Sequence, residues 1–123
     1  MDDRIFPASI LLTYKGKALL MHKRNGPMDE EKHAWCFIGG IKESMESFEN
    51  AMSRRVENET GIKIENVEFV SESCYHARLT DDNVNKIERG ENQLLDFFTL
   101  KEAGKLFLSS TTAQFILKHG ALI

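Results

Sequence analysis

Gly39-Gly40-Ile41-Lys42-Glu43-Ser44-Met45-Glu46 runs into Ser47-Phe48-Glu49-Asn50-Ala51-Met52-Ser53-Arg54-Arg55-Val56-Glu57-Asn58-Glu59-Thr60, and Gly61-Ile62 follows. The stretch reads as a glycine turn, a loop and one helix. Ser47 can cap that helix, Glu49 sits in its first turn, and Gly61 is a C-terminal stop. With Phe48 at the origin of a helical wheel, Met52 falls at about 40°, Val56 at about 80° and Ala51 at about −60°, an apolar stripe. Arg55 (about −20°) and Glu59 (about +20°) fall inside it. Two inward charges are costly unless they are paired, solvated by a cleft or bound to an ion. Asn58, at about −80°, borders the same face, whereas Glu57, at about 180°, lies opposite. A purely structural helix would carry Leu or Ala there, so the wheel points to a site.

Outward from the helix, the chain alternates strand and turn signals. Ile5 to Tyr14 is rich in β-branched and aromatic residues, Lys15-Gly16-Lys17 is a short turn, and Ala18 to His22 is a second strand, together a hairpin. Arg24 to His33 is a polar loop holding Gly26-Pro27, and Trp35 to Ile38 is a short apolar strand stopped by the glycine pair. Downstream, Ile62 to Tyr75 has strand composition and Thr80 to Asn92 is a long polar stretch. Leu94 to Leu100 is a further strand, and Thr111 to His119 a last helix. The order predicts an α+β layered fold.

Composition narrows the function. A chain of 123 residues is the size of one domain, 1–123, and 41% hydrophobic with 28% charged residues is ordinary for a soluble globular protein. A net charge of −3 offers no basic field for nucleic acid or an acidic membrane. The start is acidic where a signal peptide would be basic, and the longest nearly apolar run, Ile5 to Thr13, is too short to span a membrane. Cys36 and Cys74 have neither metal nor disulfide-scaffold spacing. A cytoplasmic protein is expected.

The segment from Gly40 to Ile62 resembles the box of the Nudix (MutT-like) hydrolase family, Gly-x5-Glu-x7-Arg-Glu-U-x-Glu-Glu-x-Gly-U, with U a bulky aliphatic residue. Gly40, Glu46, Arg54, Val56, Glu59, Gly61 and Ile62 all fall at the box spacing without a gap. Trp35-x-x-Ile38-Gly39-Gly40 resembles the lead-in of the family, with Ile38 for its proline. Leu19 to Arg24 resembles its second strand, and Glu91-Asn92-Gln93 a downstream Glu-Gly-Gln. The resemblance implies an α/β/α sandwich with a mixed sheet between helices. It also implies magnesium- or manganese-dependent hydrolysis of a pyrophosphate bond in a nucleoside diphosphate joined to another moiety. The implied roles are catalysis for Glu59, Glu91 and Arg54, substrate binding for Gly39 and Gly40, metal ligation for Glu59, the Gly39 carbonyl and Glu91, and a structural part for Glu46 and Gly61; Arg55 and Asn58, which depart from the box, read as substrate-binding on their own chemistry.

Two substitutions alter that expectation. Arg55 and Asn58 stand where the box has glutamates, so Glu59 is the box carboxylate left on the helix. A fixed guanidinium repels a cation and can pair with Glu59 four residues on, so metal binding should be weak or absent. Two readings follow: a hydrolase of reduced activity, or a non-catalytic module binding a nucleotide or protein partner, with Arg55 facing phosphate. Either would be a monomer or a homodimer whose partner is a nucleotide-like small molecule.

Plainer readings stand beside these. Gly39-Gly40 alone is an ordinary turn, Glu46 and Arg54 can simply brace the loop, and Arg55–Glu59 can be a surface ion pair. Glu91, Asp81 and Asp82 can be solvated. His22, His33, His76 and His119 share no ligand spacing and read as structural or exposed, and Cys36 and Trp35 read as core. Phe97 and Phe98 point to opposite faces, one of them into the core.

Overall fold

The computed structural model describes residues 7–23, 34–89 and 93–123. Of these, the residues through Leu12 and from Ile38 to Glu88 cluster as one compact unit; those from Thr13 to Phe37 and from Arg89 onward form a second.

The first unit is built on strand β1 (Ala8–Tyr14), which contributes its residues through Leu12. Strand β4 (Ile38–Gly40) pairs with it antiparallel, Ala8 opposite Gly40 and Ile10 opposite Ile38. Helix α1 (Phe48–Thr60) follows, starting where the capping signals predict: the Ser47 hydroxyl accepts from the Asn50 N–H at 3.0 Å. It ends at Gly61, whose φ of 80° is the left-handed cap that glycine adopts without a Cβ clash. Ala51, Met52, Val56 and Thr60 are the buried face of α1, which packs against β4.

The reading of Ile62 to Tyr75 as one strand is corrected. Ile62 and Ile64 are buried, but the strands are β5 (Glu68–Ser71) and β6 (Cys74–Arg78), an antiparallel pair. Asn66 (φ 59°) and Ser73 (φ 66°) leave the extended region and break the run. The polar stretch after Thr80 also holds a short helix, α2 (Asp81–Asn85). A capping box starts it: Thr80 and Asn83 each bond the other's backbone N–H at 3.0 Å.

In the second unit the expected hairpin forms. Lys15 and Gly16 both have positive φ, the signature of a tight two-residue turn, and join β1 to β2 (Lys17–Lys23), with Tyr14 opposite Lys17. Strand β7 (Gln93–Phe98) lies antiparallel to β2 over Ala18 to Lys23, and the short strand β3 (Trp35–Cys36) pairs with β2 as well. The apolar run Trp35 to Ile38 is therefore two strands with different partners, parted at Phe37. The Phe37 N–H donates to Thr112 Oγ1 at 3.0 Å. That threonine lies in α4 (Ser110–His119), which starts one residue before the expected Thr111 and is capped by Ser109. The predicted strand Leu94 to Leu100 stops at Phe98, because Thr99 caps a short helix, α3 (Leu100–Ala103), with Glu102 completing a capping box.

Two packing expectations change, and those for His76, Asp81 and Asp82 hold. Cys36 and Trp35 are half-buried, the Trp35 ring meeting those of His22 and Phe98. Phe97 and Phe98 are both half-buried, against Tyr14 and Trp35 respectively. His76 is buried with Nδ1 3.4 Å from Glu68, and Asp81 and Asp82 are exposed. The loop Arg24 to His33, His33 included, lies outside the described residues.

Candidate functional site

The site is built from the end of β4, the loop after it and one face of α1, all in the first unit. Gly39 and Gly40 end β4 at half-buried positions. A Cβ on Gly39 would sit 2.3 Å from the Ala8 carbonyl oxygen, so only glycine lets β4 approach β1 this closely. A Cβ on Gly40 would come within 2.8 Å of Arg55 Nε. The arginine side chain thus lies directly on the glycine backbone.

Arg54 and Arg55 are neighbours on α1 and do different things. Arg54 makes a bidentate bond to Glu46, Nε to Oε2 at 2.9 Å and Nη2 to Oε1 at 3.1 Å, and Nη2 also reaches the Ile41 carbonyl at 3.4 Å. Glu46 Oε1 accepts in addition from the Glu43 N–H at 2.8 Å. The Arg54 hydrogen bonds, and then that N–H, hold the Glu46 carboxyl below the usual carboxylate range; Glu46 in turn raises Arg54. The loop from Gly40 is thereby pinned to the helix.

Arg55 turns the other way. Its Nε donates to the Gly39 carbonyl at 3.0 Å, and its Nη2 lies 3.7 Å from Glu59 Oε2. The inward face that the wheel predicts for these two charges is thus observed: the side chains are 31% and 13% exposed. Gly39, Gly40, Arg55 and Glu59 come together, with Glu46 and Arg54 holding the loop beside them. Asn58 is exposed, as is Glu57. Gly61 closes the helix, its N–H on the Glu57 carbonyl at 2.8 Å. Glu91 lies outside the described residues. Sequence reasoning did not single out a cleft of about 330 Å³ lined by Glu65, Asn66, Glu68 and Arg78. No local motif marks those positions, and Asn66, which lines the cleft, has a φ of 59°.

With this geometry in view, the protein is defined first as an α+β fold with a mixed sheet and helices, shared with solved hydrolase structures. A MutT NUDIX hydrolase from Burkholderia pseudomallei superposes with a TM-score of 0.73 at 18% identity, covering 92% of this chain and 95% of its own. A mutT/nudix family protein from Listeria innocua gives 0.71 at 19%, covering 94% and 91%. The NUDIX domain pattern matches residues 4–115, and the chain belongs to that family, whose members are hydrolases. Among curated relatives, the NAD-capped RNA hydrolase NudC of Mannheimia succiniciproducens is 34% identical over 67 residues, and that of Actinobacillus succinogenes 33%. The match takes in 53% of this chain and spans a quarter of those relatives' length.

Nudix hydrolases generally use magnesium or manganese. The donor set on α1 does not fit such a cluster. The two oxygens the box leaves for a cation, the Gly39 carbonyl and the Glu59 carboxylate, are spanned by the Arg55 guanidinium. Among the described residues, no three of His, Cys, Asp and Glu gather to hold a metal ion. No helix of the described residues is long and apolar enough to cross a membrane.

Proposed function

We propose that the chain is a cytoplasmic, single-domain hydrolase of a pyrophosphate bond in a nucleoside diphosphate joined to another moiety. Its turnover is slow because Arg55 and Asn58 replace two box glutamates. The observation that carries this reading is the intact frame, with Glu46 and Arg54 locked together and Gly39, Gly40 and Glu59 converging beside them. In it the Gly39–Gly40 backbone, Arg55 and Asn58 face the phosphates. Glu59, with Glu91, is the carboxylate that takes a proton from the attacking water. Water oxygen bonds to phosphorus as the bridging P–O bond breaks, and the leaving phosphate takes the electron pair. Arg54 acts by holding the loop in position.

The test is a panel of nucleoside diphosphate derivatives assayed with magnesium and with manganese. An NAD-capped RNA belongs in it because the NudC relatives are named for that substrate. Turnover that disappears in Glu59→Gln supports the hydrolase. Binding without turnover across the panel overturns it and favours a second reading, a non-catalytic module for a nucleotide or protein partner. The observation favouring that reading is the guanidinium lying across Gly39 and Glu59.

A further inference from the structure

A cation at the end of β4 would need oxygens at a short, fixed separation, and the chain already holds a positive group between them. Arg55 Nε is bonded to the Gly39 carbonyl at 3.0 Å, and Nη2 stands 3.7 Å from Glu59, beyond hydrogen-bond length. A guanidinium has five N–H donors in a planar fork and does not lose its charge. Among the described residues Arg55 makes one hydrogen bond, through Nε, which leaves Nη1 and Nη2 without one there, on a side chain 31% open to solvent. A Cβ at Gly40 would stand 2.8 Å from Nε, so the absence of one at that position is what lets the fork lie flat on the turn.

We infer that Arg55 is the resident cation of this site and that the Arg55 guanidinium, beside the Gly39–Gly40 turn, binds a diphosphate without any divalent ion. The inference rests on the reading that phosphates meet the protein at this helix. The sign of the Glu59 effect sets the two modes of binding apart. If a divalent ion carried the phosphates, Glu59 would be its ligand, and removing the carboxylate charge would weaken binding. If Arg55 carries them, Glu59 is a competing anion on the same fork, and its removal strengthens binding.

The experiment is calorimetric titration of the full chain with inorganic pyrophosphate, in a chelating buffer and again with magnesium. The expected results are binding in chelator, loss of about tenfold in affinity in Arg55→Gln, and unchanged or tighter binding in Glu59→Gln. Arg55→Lys, which keeps charge but not the fork, should fall between wild type and Arg55→Gln. Circular dichroism melting of each variant separates lost binding from lost folding. Binding that needs magnesium, or that Glu59→Gln abolishes in a folded protein, overturns the inference. Turnover plays no part in this readout, so failure of the hydrolase reading and failure of the resident cation are told apart.

Discussion

Helix α1 presents two arginine–glutamate pairs from adjacent residues, and they differ in every respect that matters. Arg54–Glu46 is bidentate, with both bonds near 3 Å and a backbone N–H added to the carboxylate. Arg55–Glu59 is a loose approach at 3.7 Å, and among the described residues the guanidinium's one hydrogen bond goes to a carbonyl. Geometry of the first kind fixes a loop, because two parallel bonds define orientation as well as distance. The second leaves Nη1 and Nη2 of Arg55 without a hydrogen bond among the described residues. One helix thus carries a pair that braces the loop and, one residue on, a pair that leaves its guanidinium on the glycine turn.

The sharpest way to break the comparison is to remove the ground under Arg55. Gly39→Ala forces a Cβ to 2.3 Å from the Ala8 carbonyl, a backbone atom that moves only if the β1–β4 pairing opens. We expect a loss of about 3 kcal/mol or more in urea unfolding, the largest effect of the series. Next comes the tight pair. Glu46→Gln keeps shape but removes charge, so its melting temperature should fall, by less than that of Gly39→Ala.

Acid titration sharpens the same point. The Glu46 carboxyl is held below its ordinary value by Arg54 and the Glu43 N–H, so the unfolded chain takes up the proton more readily than the folded one. The stabilisation it gives is present above the ordinary carboxylate range and disappears as pH falls through the depressed folded value. Glu46→Gln should flatten that portion of the stability–pH curve, and an unaltered slope would show that the brace contributes nothing. The smallest effect belongs to the loose pair: Arg55→Gln should change stability by about 0.5 kcal/mol or less, while pyrophosphate affinity falls. Equal destabilisation by Glu46→Gln and Arg55→Gln would erase the distinction between the pairs.

Much of this was legible in the residues because the signals are local. Ser47, Gly61 and the spacing of Ala51, Met52 and Val56 define α1 from its own sequence, and the wheel turns Arg55 and Glu59 inward. Ser73 gave no such warning: it adopts a left-handed conformation, φ 66°, with no glycine to announce the turn, so one apolar run became a hairpin. The short helices α2 and α3 hide for a related reason. Four or five residues carry no periodicity, and each is started by a capping pair, Thr80–Asn83 and Thr99–Glu102, inside polar sequence. At the site, the bond from Arg55 to the Gly39 carbonyl spans sixteen positions. Only the folded backbone brings those groups together, so the wheel could show that Arg55 faces inward but not what it touches.

Gly39 and Gly61 hold the two ends of this segment against substitution: an added methyl at one meets the Ala8 backbone oxygen at 2.3 Å, and the other sits at a φ of 80° that side chains rarely adopt. Arg55 and Asn58 sit between those ends, the first half-buried and the second exposed, at ordinary helical positions. Mutation can therefore exchange one chemistry for another on this helix while its mounting stays unchanged, and a protein can drift out of an activity long before it drifts out of a shape.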